Sequence, residues 1–100
     1  MAKFELTKKA VEDLADIWNY TYENWSEHQA DTYYQLLVES FKEIAGTPSI
    51  GKNFSGIVES IRGFKVGRHI VFFRAIEGRK VEIIRILHEQ MDLKNRIVEK

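Results

Sequence analysis

The sequence predicts an α+β fold made of a short N-terminal strand, an antiparallel helical hairpin and a three-stranded antiparallel meander, closed by a short C-terminal helix or tail. Three observations carry that prediction. Apolar residues recur at spacings of three and four from Lys8 to Gly46, the period of an amphipathic helix. After residue 60 the pattern changes to runs of β-branched and aromatic residues separated by glycine turns, which is strand chemistry. Between them, residues 46–57 (GTPSIGKNFSGI) are rich in Gly, Ser, Thr and Asn, so that the helices are expected to stop there in one long loop. One hundred residues and 11.7 kDa fit a single domain over 1–100, because cores rarely divide below about 100–150 residues.

Residues 3–6 (KFEL) alternate polar and apolar, and Thr7 follows as a hydroxyl able to cap a helix. The first helix starts near Lys8, with Val11, Leu14, Trp18, Tyr22 and Trp25 as its apolar stripe and Glu12, Asp13, Asp16, Asn19 and Glu23 on other faces. Ser26 stands three residues before Gln29, the capping-box spacing. The second helix follows, with Ala30, Tyr33, Tyr34, Leu37, Val38, Phe41, Ile44 and Ala45 in phase until Gly46, and Pro48 bars continuation. The strands are placed at Ser60–Val66, His69–Ile76 and Lys80–His88, with turns at Gly67 and at Glu77–Gly78. HIVFFRAI is apolar at nearly every position and belongs in the middle with both faces covered, whereas Lys80, Glu82 and Arg85 give the last strand a more exposed character. Residues 92–98 form the final helix or tail. An edge strand and the groove beside the hairpin are open to a partner segment, with Arg79 and Lys80 as guards against unwanted pairing.

Formal net charge is zero, yet residues 1–50 hold nine acidic against four basic side chains and residues 51–100 hold eleven basic against six acidic. A molecular dipole is expected, and neutrality argues against non-specific wrapping of nucleic acid. Zero cysteine removes disulfide frameworks, Cys-rich zinc sites and thiol nucleophiles. No apolar run reaches the ~18–20 residues of a membrane span, and the first six residues lack the build of a secretory signal. A cytoplasmic protein without a membrane partner is the expectation.

Candidate chemistry centres on His28, His69 and His88, the side chains that titrate nearest neutrality. His28, in the first turn of the second helix, is expected at the surface. His69 opens the central strand and His88 ends the last, so antiparallel pairing can bring them together. With Arg62, Arg68 and Arg85 they would suit phosphodiester cleavage, one imidazole taking a proton, the other giving one, and the arginines stabilising the charged transition state. No histidine spacing suits a metal, and Gly46-to-Gly51 lacks the Lys-Ser/Thr of a phosphate loop, since Lys52 is followed by Asn53. No cofactor is expected. The aromatics Trp18, Tyr22, Trp25, Tyr33 and Tyr34 are assigned to packing between the helices.

The element order, together with Ser60-Ile61-Arg62, Gly67-Arg68-His69-Ile70-Val71-Phe72-Phe73-Arg74, VEIIRILHEQMD from Val81 to Asp92, and Trp18 and Trp25, resembles the RelE/ParE toxin superfamily of bacterial toxin–antitoxin modules, and is most similar to its ParE branch. The resemblance covers essentially the whole chain and implies a RelE/ParE-like toxin domain. In ribonuclease members the last strand runs into an Arg and, a few residues on, a Tyr or His that take part in RNA cleavage. Here His88 is followed by Glu89, Gln90, Met91, Asp92 and Leu93, so acidic or apolar groups stand where the Arg and Tyr are expected, and an acidic residue there would repel rather than stabilise developing phosphate charge.

The ParE resemblance therefore implies a non-enzymatic poison of DNA gyrase that traps the cleaved-DNA complex and is neutralised by a ParD-like antitoxin. Val11, Leu14, Trp18, Leu37 and Phe41 are the antitoxin-contact candidates where not already buried. Lys65, Arg68, Arg74 and Arg85 are the gyrase-contact candidates, with no direct sequence-specific binding of nucleic acid. The alternatives are a ribosome-dependent messenger RNA endonuclease, using His69 and His88 with Arg62, Arg68 and Arg85, and a non-toxic structural partner of an antitoxin.

Overall fold

The computed structural model describes residues 3–53 and 61–90. Strand β1 (Lys3–Leu6) leads into helices α1 (Lys8–Asn24) and α2 (Glu27–Gly46), then strands β2 (Lys52–Asn53), β3 (Arg62–Val66), β4 (His69–Ile76) and β5 (Lys80–His88). The meander β3–β4–β5 is antiparallel, β1 adds beside β5 in parallel, and β2 extends the other edge, in the order β1-β5-β4-β3-β2. The boundaries of β4 and β5 coincide with the sequence expectation. Ser60 and residues 92–98 lie outside the described residues, as do positions 54–57 of the expected loop.

Both helix starts follow from their caps. Thr7 Oγ1 accepts from the Ala10 N–H (3.1 Å) and donates to the Ile84 carbonyl (2.7 Å), while its own N–H donates to the Ile83 carbonyl (3.0 Å). One residue thus starts α1 and fastens it to β5. Ser26 Oγ accepts from the Gln29 N–H (3.1 Å), half of the expected capping box; among the described residues Gln29 makes no return bond. The loop also departs from expectation. Pro48–Ile50 form a 3-10 turn with proline in its first turn, and Lys52–Asn53 pair with β3, because proline's fixed φ suits a helical first turn even where it stops the helix before it.

The main core lies between the helices and one face of the sheet: Leu14, Leu37, Phe41 and Ile44 against Val71, Phe73, Val81, Ile83 and Ile86. Phe72 belongs instead to a second cluster with Ile61 and Leu87, so β4 is buried on both faces as its unbroken apolar run predicts. Three expectations are corrected. The last strand is not exposed: β5 lies between β1 and β4, and Arg85 is buried. For the same reason Lys80 guards no edge; it pairs with Glu5 of β1 at 3.5 Å. The buried stripe of α1 is Ala10, Leu14 and half-buried Ile17, while Val11, Tyr22 and Trp25 are exposed. Both stripes have helical period, and bulky aromatics bias the sequence pattern toward the neighbouring face.

Gly67 has φ +58° as the first residue of the two-residue β3–β4 turn, where a left-handed conformation matches the twist of the strands. A Cβ there would meet the Tyr33 ring at 2.8 Å. Gly67→Ala is therefore expected to cost about 1–3 kcal/mol, from positive φ and steric conflict together. A urea midpoint unchanged from wild type would contradict this.

Candidate functional site

Two surfaces collect the candidate residues. The first is the end of the sheet where β3 turns into β4 and β5 finishes. His69 pairs directly with His88 across the strands, and their rings meet edge to face with centroids 5.4 Å apart. The sequence expectation of a histidine pair is thus met in space. Tyr33, assigned from sequence to helix packing, completes the cluster. Its phenol donates to the Val66 carbonyl (3.1 Å), accepts from the Arg68 N–H (3.3 Å) and lies 2.7 Å from His69 Nδ1. A phenol has one proton. With that proton on Val66, His69 Nδ1 is assigned as a donor to the phenol oxygen, leaving a lone pair on Nε2. His88 Nδ1 accepts from the Gln90 N–H (3.1 Å), so its ring proton is assigned to Nε2.

Burial dominates the electrostatics of this cluster. Desolvation, with the neighbouring His88 second, lowers the pKa of His69 to about 4, against a weaker upward pull from Asp13 and Glu89. His69 is therefore neutral at pH 7. Desolvation likewise raises the pKa of Tyr33. The Glu89 carboxylate, hydrogen-bonded to Lys65 at 2.9 Å, is held below the ordinary range.

The arginines expected around the imidazoles are not gathered there. Arg62 lies opposite Phe73, four residues down the hairpin from the Val66–His69 pair, roughly 13 Å away at ~3.3 Å per residue. Its Nη1 donates to the Gly51 carbonyl (3.0 Å). Arg85 is engaged elsewhere: Nε and Nη2 donate to the two oxygens of Asp13 at 2.8 and 3.0 Å, and the Ile86 N–H donates to the same carboxylate at 3.0 Å. Both partners are largely buried, with side-chain exposures of 9% and 13%. Of the three, only Arg68 adjoins the histidines. The sequence pattern puts Asp13 with the acidic residues off the apolar stripe of α1; the signal for its role is the lone cation of an otherwise apolar run, Ile83-Ile84-Arg85-Ile86-Leu87, which needs a counter-charge if the strand is interior.

The gyrase-contact candidates are likewise divided. Arg85 is withdrawn by Asp13, Lys65 pairs with Glu89, and Arg74 pairs with Glu82 at 2.9 Å. Arg74 lies toward the opposite end of β4, about 17 Å along the strand from His69. Of these candidates, only Lys65, at the end of β3, and exposed Arg68, in the turn, lie at the histidine end of the sheet.

The second surface is the outer side of the hairpin. Among the antitoxin candidates, Leu14, Leu37 and Phe41 are buried in the core, whereas Val11 is 54% exposed and Trp18 half-buried. The proviso on burial leaves these two. Trp18 stacks on Tyr22 with centroids 5.2 Å apart and planes 7° from parallel, and its Nε1–H donates to Asp31 Oδ1 (3.0 Å), joining the helices. Tyr22 and Trp25 are exposed, and Tyr34 is partly so at the rim between the helices; the small side chain of fully buried Ala30, with Leu14 and Leu37, takes the inner positions. His28 is exposed, as expected. Among the described residues, no group of three His, Cys, Asp or Glu side chains could hold a metal ion, and no helix is long and apolar enough to cross a membrane.

Comparison with known proteins bears on the whole arrangement. Residues 4–93 match the family model described as the ParE toxin of the type II toxin–antitoxin system parDE. The chain is 36% identical over 92 residues to toxin ParE1 of Caulobacter vibrioides, covering 92% of this chain and 94% of that protein. It is 29% identical over its full length to toxin ParE of Escherichia coli, covering 97% of it. A solved structure, the chromosomal ParDE toxin–antitoxin system from P. aeruginosa, superposes with a TM-score of 0.73 at 23% identity, over 88% of this chain and 95% of that one, and it supports the fold. The chain belongs to the ParE toxin family of type II toxin–antitoxin systems.

Proposed function

We propose that this protein acts by docking and not by turnover: it binds DNA gyrase, traps the cleaved-DNA complex and so blocks replication in the cytoplasm, until a ParD-like antitoxin neutralises it. Family membership supports the target and the antitoxin. The observation that carries the non-enzymatic part is the Asp13–Arg85 pair, which withdraws the one arginine of the last strand into the protein and leaves Glu89 near the histidines, a poor setting for phosphorane charge. The gyrase contact is assigned to the β3–β4 end of the sheet, with Lys65 on β3 and Arg68 in the turn, and the antitoxin contact to the outer hairpin around Val11 and Trp18. Induced expression in bacteria is expected to give filamentous cells and a DNA-damage response, and the purified protein is expected to raise the yield of gyrase-cleaved DNA in vitro. Uninterrupted replication with prompt loss of translation would count against the reading.

One observation favours a second reading. The Nδ1 bonds of His69 and His88 set the rings in opposite tautomers, one presenting an acceptor and the other a donor, the complement required for acid–base cleavage of a phosphodiester. Primer extension on messenger RNA from expressing cells separates the two: codon-spaced cuts lost in His88→Ala would establish the ribonuclease, and intact transcripts would exclude it.

A further inference from the structure

The charge layout of the hairpin points to the chemistry of what covers it. From Ala10 to Phe41 the chain holds seven carboxylates and neither lysine nor arginine. Asp13 is neutralised by Arg85, and Glu39 pairs with Lys42 at 3.3 Å. Glu12, Asp16, Glu23, Glu27 and Asp31 have no ion-pair partner among the described residues. This acidic surface is also where the exposed aromatics lie: Tyr20, Tyr22, Trp25 and Tyr34. An open depression of about 500 Å³ lies between the two helices, lined by Trp18, Asp31 and Tyr34 with Ala15, Asn19 and Gln35. Asp31 already turns Oδ1 to the indole N–H, which leaves its other oxygen to accept.

We propose that this depression is a guanidinium slot, taking an arginine side chain from a cationic amphipathic helix of the antitoxin. The inference rests on the antitoxin reading above and specifies its chemistry. Charge complementarity selects the occupant, since an acidic, aromatic surface without cations repels an acidic segment and gives a neutral one nothing to pair with Asp31. Arginine suits it better than lysine. Its weakly hydrated planar group stacks on indole and phenol rings while its fork of N–H donors meets the carboxylate. Trp18 is held in place by its Asp31 bond and its stacking on Tyr22, so part of the ordering cost is met before binding.

The test titrates the purified protein with two synthetic amphipathic helices that share one leucine stripe and differ only at the polar flanks, arginine in one and its neutral isostere citrulline in the other. Binding is followed by tryptophan fluorescence and calorimetry. The arginine peptide is expected to bind roughly tenfold or more tightly than the citrulline peptide, with an advantage that shrinks as salt rises. Asp31→Asn and Tyr34→Ala should each remove most of that advantage, while Glu43→Gln near the far end of α2 leaves it intact; circular dichroism confirms that each variant is folded. Equal binding of the two peptides, or an advantage that survives Asp31→Asn, overturns the slot. A ParD-like antitoxin is titrated in parallel. If it binds wild type and Asp31→Asn alike, the slot is wrong and the antitoxin reading stands. If the arginine peptide binds through Asp31 and the antitoxin does not bind at all, the slot's assignment to an antitoxin is overturned along with that reading.

Discussion

Asp13→Ala is expected to destabilise the fold by about 3–5 kcal/mol, the cost of taking the countercharge from a buried guanidinium. The carboxylate serves two buried donors besides balancing a charge: Arg85 through both oxygens, and the Ile86 N–H on the side of β5 that β1 has ceased to cover after Ile83. Removing it takes the countercharge from a buried guanidinium and the acceptor from a backbone amide at once. Asp13→Asn keeps the shape and one acceptor but loses the charge, so it should fall between alanine and wild type. The ion pair itself is a different quantity from the damage done by breaking it. Asp13→Leu combined with Arg85→Met should recover much of the loss, because two apolar side chains of similar volume avoid the desolvation penalty of both ions, leaving only the Ile86 amide unserved. Urea denaturation of the four proteins reads these differences directly. A single Asp13→Ala variant within 1 kcal/mol of wild type, by the ~1 kcal/mol typical of ordinary substitutions, would show that Arg85 finds water or another acceptor.

Where the sequence was legible, the physics was local. Thr7 and Ser26 mark helix starts because a hydroxyl must reach an amide two or three residues away, and β4 and β5 have sharp limits because Gly67 and Gly78 punctuate them at positive φ. Whether the Val11 or the Ala10 stripe of α1 faced inward was not decided locally. Both repeat with the same period, and the choice was made by where Thr7 fastens the helix to Ile83 and Ile84 of a strand some 77 residues later. The interior place of β5 is hidden in the sequence for a similar reason. Its charged residues read as exposure, whereas a parallel β1 alongside covers Lys80 to Ile83 and Asp13 absorbs Arg85. At the candidate site, the His69–His88 pair was readable from antiparallel register alone. Tyr33 was not, since its role depends on α2 crossing the β3–β4 turn.

The same cluster makes stability depend on acidity. His69 titrates near pH 6.5 in an unfolded chain but at about 4 in the folded protein, because burial and the adjacent His88 disfavour its charged form. Between those limits the unfolded chain binds a proton that the folded one refuses, so stability falls as pH drops from 6.5 toward 4 and levels off below. The contribution is fully present above pH 6.5. At 1.36 kcal/mol per pH unit the ceiling is about 3 kcal/mol, and roughly 1–3 is expected because the ring is only partly screened from water. The groups facing it do not all act alike: Asp13 and Glu89 soften the penalty, whereas His88 adds to it. Glu89 brings its own acid dependence, since a carboxylate held low by Lys65 loses that stabilisation as it protonates. Comparing wild type with His69→Asn isolates the imidazole, because Glu89 and Lys65 remain in both. The wild type should lose more stability than the variant between pH 7 and pH 4.5, with the excess appearing below pH 6.5, and Tyr33→Phe should alter its size by removing the phenol from Nδ1. Parallel pH profiles for wild type and His69→Asn would mean that the folded and unfolded chains protonate the ring alike, and the lowering of its pKa by burial and His88 would be overturned.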